Sequence, residues 1–318
     1  MSNKILYFDA PDGISGDMTL GALIDLGVDV NLIRAELDKF VHNEYMVVPH
    51  KFERNGIHGI NLEVIVAEDA HDEVDEHGLG DHVHEFNYAE EEPGAEENVG
   101  LGDLVHEFNY VDNADENEGL EDHVHEYDYF AGGSEMKVHV HRYYRDIRAM
   151  ILASGISKVA KTYALAIFDE IAKAEATVHQ VAVEDVQFHE VGAMDSIIDI
   201  VGTAIAIDLL GDVEFFCSAI HDGSGTIVCR HGIIPIPVPA VLEMAKGTNI
   251  PIVIDGDVRT EMITPTGFGI IKGLCAKFEP KLGIIPEKTG YGFGKRDTGR
   301  LGAVRVILGE KYEEEEKK

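Results

Sequence analysis

The stretch Lys4-Ile-Leu-Tyr-Phe-Asp-Ala-Pro-Asp-Gly-Ile-Ser-Gly-Asp-Met-Thr-Leu-Gly-Ala-Leu-Ile-Asp-Leu-Gly-Val28 decides the fold class. Lys4 to Asp9 is a short apolar run of strand length, and Ala10 to Gly16 is a loop rich in turn formers. From Asp17 onward Leu20, Leu23 and Ile24 recur at helical spacing until Gly27 ends the helix. A strand feeding a helix through a glycine loop is the opening of an α/β unit. Working outward, Asp29 caps a second helix with Leu32, Ile33, Leu37 and Phe40 on one face. Tyr45 to Phe52 and Ile60 to Val66 form a strand pair around the turn signal Asn55-Gly56.

Beyond Val66 the pattern stops. Between Ala67 and Met136 there is no Lys or Arg and there are 24 Asp and Glu, so this segment carries most of the net charge of −33. The rest of the 318-residue chain holds 35 acids against 26 bases. Three related elements recur inside the segment: GLGDHVHEFNY (78–88), GLGDLVHEFNY (100–110) and GLEDHVHEYDY (119–129). Their offsets of 22 and 19 residues are too irregular for a solenoid. Without a packing pattern, the segment reads as a disordered insert carrying short binding elements.

Helical and strand signals resume near His139. Helices are expected over Tyr143–Ser154, Ser157–Ala176 and Asp195–Leu210, and strands over Val213–Ile220 and Ile250–Ile254. Pro235 to Pro239 introduces another helix. Thr264 and Pro265 open a further one as N-cap and first helical residue. Arg300–Leu308 closes the chain as a strand. The expected fold is α/β, a mixed sheet with flanking helices, divided as 1–66, the insert 67–136, 137–309 and a charged tail 310–318.

Composition excludes several classes. No apolar run approaches the 18 or more residues of a membrane span. Strong acidity disfavours nucleic acid and anionic membranes as partners and favours cations. Met1 to Asp9 has no signal-peptide layout, and three scattered cysteines argue against a disulfide framework, so a reducing cytoplasm is expected.

Four places can carry chemistry. In Asp9 to Asp17, Gly13, Ser15 and Gly16 lead into a helix start whose free N–H groups suit a phosphate, while Asp9, Asp12 and Asp17 suit a hard cation. Turn formation by Asp12 and capping by Asp17 is the plainer alternative. In Phe188-His189-Glu190-Val191-Gly192-Ala193-Met194-Asp195-Ser196-Ile197-Ile198-Asp199, Asp195 and Asp199 share a helix face, and the Gly192 turn is expected to fold His189 and Glu190 towards it. Imidazole with carboxylates ligates a first-row metal or moves protons. The third set is Gly223-Ser224-Gly225 with His221 and His231, then Thr264, Thr266 and Gly267, then Gly290 to Gly294 with Lys295 and Arg296. These read as anion-cradling loops, Arg296 as a bidentate clamp, or simply as turns. The fourth is the insert, with nine of the sixteen histidines between His71 and His141. His82, His84, His106, His123 and His125, with His139 and His141 at its end, are flanked by acids and suit nickel, zinc or copper.

Taken together, FDAPDGISGDMTLGALIDLGV (8–28), HVHRYYRDIRAMI (139–151), FHEVGAMDSIIDIVG (188–202), HGIIPIPVPAVLEMAKG (231–247), TPTG (264–267) and GYGFGKRD (290–297) resemble the pyridinium-3,5-bisthiocarboxylic acid mononucleotide nickel insertion proteins. These chelatases complete the nickel-pincer cofactor of lactate racemase. The resemblance implies nickel as cargo and a pyridinium mononucleotide as substrate. It also implies CTP with Mg or Mn, handled by a C-terminal domain or a separately made C-terminal half. His189, Glu190, Asp195, Asp199 and Asp17 are then the expected catalytic set. Pro11-Asp12-Gly13 stands where the family has a Ser-Gly pair. Two other functions fit the residues: a nickel storage protein or metallochaperone without catalysis, and a metal-dependent phosphohydrolase centred on Asp9 to Asp17.

Overall fold

The computed structural model describes residues 4–42, 45–66 and 142–312, together with the backbone of 125–127 and 138–140. The chain opens as expected: β1 (Lys4–Asp9) enters a loop and then α1 (Gly16–Asp25), followed by α2 (Val30–Leu37). Ser15 is the N-cap of α1, and Asp29 caps α2 by accepting from Asn31 N at 2.8 Å. Ile33 and Leu37 face the core from α2, whereas Leu32 points outward. A hairpin of β2 (Tyr45–Arg54) and β3 (Ile57–Val66) turns at Asn55-Gly56, both with positive φ.

Two short antiparallel ladders follow, β4 (His125–Tyr127) with β5 (Val138–Val140), and β6 (Arg142–Tyr143) with β7 (Gln187–Phe188). Between β6 and β7 lie α3 (Tyr144–Ala153) and α4 (Lys158–His179), and after β7 comes α5 (Met194–Leu210). Then come β8 (Glu214–Cys217), β9 (Ile220–Asp222) and a hairpin of β10 (Thr226–Cys229) and β11 (Gly232–Pro235). The chain continues through α6 (Pro239–Ala245), β12 (Ile252–Ile254), α7 (Pro265–Gly273), β13 (Lys277–Phe278), β14 (Gly283–Phe293) and β15 (Ala303–Tyr312).

The main sheet is mixed, in the order β13-β8-β1-β15-β14-β3-β2. β13, β8 and β1 run parallel, β15 is antiparallel to both β1 and β14, and β14 meets β3 in parallel. α1 lies on β3, β14 and β15, and α5 packs on α1 and α4. α5 is apolar all round, with Ile197, Ile198, Ile200, Val201 and Ile205 buried, which suits a helix enclosed by other helices. No helix among the described residues is long and apolar enough to cross a membrane.

Two expectations change. Gly290 to Gly294 is not an anion loop: most of it is the end of β14, where glycine lets the strand touch α1. A Cβ at Gly292 would lie 1.8 Å from Met18 O. The charged tail also begins later than expected, because β15 continues through Tyr312.

Candidate functional site

Two cavities lie against a shared wall, and each is assembled by helix ends. In the first, the last turns of α4 present Glu175 and His179, four residues apart and so on one face. His179 Nε2 is 3.3 Å from Glu175 Oε2. His189 leaves the end of β7, and His231 sits in the turn of the β10–β11 hairpin. The ring centroids of His179, His189 and His231 are 5.0 to 5.8 Å apart. One ligand atom from each lies within 4.8 Å of the other two. The cavity they face has a volume of about 280 Å³ and is otherwise largely apolar, with Phe188, Val191, Ile227, Ile234 and Val238 in its walls.

Burial sets the protonation of this cavity. It lowers the pKa of His179, with His231 adding to the effect, so the imidazole stays neutral and able to ligate. It raises Glu175 to about 7, helped by the charge of Glu190. Cys229 Sγ, 3.8 Å from His231 Nδ1, is likewise pushed up by burial. Three imidazoles with room beside them match an open, three-ligand site for a borderline first-row ion.

The second cavity is polar. Ile14 N donates to Met262 O at 2.9 Å and Thr264 N donates to Ile14 O at 3.1 Å, which sets the starts of α1 and α7 side by side. Buried Asp222 holds the segment just before α7, its Oδ1 accepting from Gly223 N, Met262 N and Ile263 N. The approach is close: a Cβ on Gly267 would be 2.2 Å from Ile14 O, and one on Gly13 (φ +85°) 2.1 Å from Met262 O. The start of α5 joins them, with Gly16 against the Asp199 side chain. The resulting cleft has two lobes of about 210 and 180 Å³ that share Ser15, Asp17, Thr264 and Lys295. Asp195, Asp199 and Thr266 line the second lobe.

Within the cleft, Asp17 accepts from Met18 N at 2.8 Å and makes a short contact with Ser15 Oγ, while Asp195 accepts from Ser196 N at 2.7 Å. Thr264 Oγ1 caps α7 by accepting from Gly267 N at 3.1 Å. Asp199 differs from these. As a residue it is half-buried, yet its Oδ1 is fully covered and has no hydrogen-bond partner. Burial raises its pKa well above the usual range, reinforced by Asp17 and Asp195 and opposed by Lys295.

The wall between the cavities is Glu261 with Arg296, which line both the histidine cavity and the first lobe of the cleft. Arg296 Nη1 donates to Glu261 Oε2 at 2.8 Å and to Glu261 O at 3.0 Å.

The expected site residues are therefore divided. His189 and Glu190 do not fold onto the Asp195–Asp199 face. Gly192 packs on the Phe188 carbonyl and its own carbonyl accepts from Arg142 Nη1 at 3.0 Å, and the turn held in this way sends His189 and Glu190 into the other cavity. Arg296 is engaged with Glu261 rather than free as a clamp. Asp9 is held by Arg305 Nε at 3.0 Å, and Asp12 accepts from Gly302 N at 3.1 Å, so of that trio only Asp12 and Asp17 reach the cleft. His221 pairs with Asp255 at 2.9 Å, and Gly223 packs on the Thr260 carbonyl. Gly13, Ser15, Gly16, Thr264, Thr266 and Gly267 do gather at one place. His82, His84, His106, His123 and His141 lie outside the described residues, as do the side chains of His125 and His139. Sequence reasoning missed Glu175 and His179 and did not join His231 to His189. An i,i+4 Glu–His pair at a helix end was the available signal.

An open trio of imidazoles beside a polar cleft of helix starts gives this α/β protein a donor set that could hold a metal ion. The nickel insertion protein family matches residues 6–318, and the chain belongs to that family. It is 40% identical over 312 residues to the pyridinium-3,5-bisthiocarboxylic acid mononucleotide nickel insertion protein of Acetivibrio thermocellus, covering 98% of this chain and 62% of that protein. It is 39% identical over 309 residues to the protein of the same name from Lactiplantibacillus plantarum, covering 97% and 62%. A third of that name, from Desulfitobacterium hafniense, is 33% identical over 312 residues, covering 98% and 60%. The chain thus spans less than two thirds of the length of these curated relatives. No solved structure matches the chain.

Proposed function

We propose that this chain inserts nickel into a pyridinium-3,5-bisthiocarboxylic acid mononucleotide, the ligand named for its relatives, and so acts as a nickel chelatase of the lyase class. The observation that carries the reading is the common wall. The three histidines and the cleft of helix starts meet across Glu261–Arg296, so a metal held by imidazoles has an oxyanion-binding cleft as its neighbour. Ni²⁺ passes from borderline imidazole nitrogen to the softer sulfur of the thiocarboxylates, a ligand exchange that needs no protein nucleophile. Within this proposal the acidic segment 67–136, which follows 1–66 and precedes 137–309 in the sequence, collects nickel through His82, His84, His106, His123 and His125, with His139 and His141 just beyond its end. CTP with Mg or Mn acts through a C-terminal portion or a separately made partner, and the reaction takes place in the cytoplasm.

The test loads the full chain with Ni²⁺, supplies the mononucleotide ligand, CTP and the C-terminal portion of a longer relative, and follows formation of active cofactor by lactate racemase activity. His189→Ala and His231→Ala are expected to abolish transfer while bulk nickel binding, dominated by the many other histidines, barely changes. Transfer at the wild-type rate by both variants would sink the reading and leave a storage protein.

A further inference from the structure

The polar cleft contains more acid than an anion site needs and more helix starts than a cation site needs. Three helix N-termini open into its second lobe: α1 behind Ser15, α7 behind Thr264, and α5 through Asp195 and Ser196. Each presents backbone N–H groups and the positive end of a helix dipole. Ala193, the N-cap of α5, supplies no side-chain hydrogen bond to that helix. Lys295 lines both lobes, is exposed, and makes no hydrogen bond or ion pair with another described residue. These features attract an anion with several oxygens.

The carboxylates point to a second ion. Asp17, Asp195 and Asp199 line the same lobe, and a phosphate alone would face three of them with one lysine. Asp17 and Asp195 are each engaged by a first-turn N–H, but Asp199 Oδ1 is enclosed and unpartnered, a state that costs free energy unless something else meets it. The three carboxylates do not close into a compact ligand set of the kind the histidines form. That suits a Mg²⁺-class ion, which keeps waters and is bound by one or two carboxylates plus substrate phosphate rather than by an all-protein cage. Close packing of Gly16 on Asp199 keeps that carboxylate at the start of α1, beside Asp17.

We propose that this cleft binds a phosphomonoester together with a hard divalent cation, the phosphate seated at the three helix starts and Lys295 and the cation bridging it to Asp199 and Asp17. The proposal rests on the functional reading above in one respect: the phosphomonoester is taken to be the phosphate end of the pyridinium mononucleotide. The protein then handles two metals of opposite character, the hard one as an anchor and the borderline one as cargo.

The test uses the full chain with Mn²⁺ and inorganic phosphate and reads free Mn²⁺ from its electron paramagnetic resonance signal. Phosphate is expected to tighten one Mn²⁺ equivalent by about tenfold, and Mn²⁺ to tighten phosphate by the same factor, because the coupling is reciprocal. Weak Mn²⁺ binding by the acidic segment does not respond to phosphate and so cancels. Asp199→Asn is expected to remove the phosphate-linked increment, as is Lys295→Met, an exposed substitution that leaves the core alone. Mn²⁺ binding indifferent to phosphate, or an increment that survives both substitutions, overturns the proposal. A wild-type chain that keeps the increment but, supplied with that C-terminal portion, transfers no nickel overturns the functional reading and not this one.

Discussion

The histidine cavity and the carboxylate cleft share a wall but differ in nearly every physical respect. One is lined by apolar side chains and three imidazoles, with burial pushing the His179 pKa down. The other is lined by hydroxyls, carboxylates, a lysine and the starts of three helices. Imidazole nitrogen selects borderline ions such as nickel, whereas carboxylate and phosphate oxygen suit magnesium or manganese. Affinity alone does not keep such ions apart, because nickel outcompetes the harder ions at most nitrogen and oxygen sites. In the proposed reading, separate donor sets on either side of the Glu261–Arg296 pair supply the discrimination that affinity lacks, and the fold sorts metals by place.

The largest effect expected is on the histidine side. With residues 72–134 deleted to remove the histidines of the insert, the remaining chain should keep its fold and one tight Ni²⁺ equivalent. His179→Ala with His231→Ala should then weaken that equivalent by more than about 100-fold, beyond what loss of an outer-shell partner alone causes. Calorimetric titration decides it, with circular dichroism as the check on folding. Undiminished binding by the double variant would mean that the three rings are not a ligand set.

On the cleft side the sharpest perturbation is Gly267→Ala. Its Cβ would collide with the Ile14 carbonyl, which must give way and carry Thr264 with it. A loss of about 2 to 4 kcal/mol in urea unfolding is expected, in the range of strained or overpacked buried sites. A loss below about 0.5 kcal/mol, the size of an ordinary surface change, would show that the two helix starts are not pinned together. A smaller change separates the ligands from their support. Glu175→Gln is nearly isosteric and removes the carboxylate behind His179. Nickel affinity should fall by about tenfold, the lower end for a carboxylate that orients a ligating histidine. An effect as large as that of removing a histidine would make Glu175 itself a ligand.

The two sites were unequally legible in the sequence, for a physical reason. The cleft is built from helix starts, and helix starts have local signatures: Ser15 before Gly16-Asp17, and Thr264-Pro265-Thr266-Gly267, are readable without knowing what they touch. The histidine cavity is assembled from the end of α4, the end of β7 and a hairpin turn, and no local pattern announces that these meet. His189 stood out beside Glu190, but its true neighbours, His179 and His231, are set by the packing of α4 and the β10–β11 hairpin. The mistaken placement of Gly290 to Gly294 has the same origin. Glycine that looks flexible in sequence serves here as flat surface, pressed on α1 at Gly290 and Gly292. Order along the chain was legible where capping and periodicity governed it, and illegible where tertiary contact did.

The smallest expected effect asks whether the two sites are mechanically joined. α4 carries Glu175 and His179, the first turn of α7 forms part of the cleft, and the two helices are tied by Glu170. Its Oε2 meets Lys272 Nζ at 3.0 Å and its Oε1 meets Lys173 Nζ at 2.9 Å. Burial opposes ionisation of Glu170, yet the Lys173 and Lys272 ammoniums outweigh it and hold the pKa below the usual glutamate range. A depressed folded-state pKa stabilises the fold above the unfolded value, about 4.3, and that contribution is lost as pH falls through the folded value. Lys272→Met keeps much of the side-chain bulk and removes one of the two partners. At pH 7 it should cost about 0.5 to 1 kcal/mol, a modest figure because the pair is only partly buried and is screened. At a pH low enough to protonate Glu170 in the folded state, wild type and variant should converge in urea midpoint. The cleft should also lose part of its phosphate response at pH 7 if α7 shifts on α4. A constant stability gap at both pH values would mean that Lys272 acts through packing alone, and an unchanged phosphate response would show that the histidine cavity and the cleft are held in place independently.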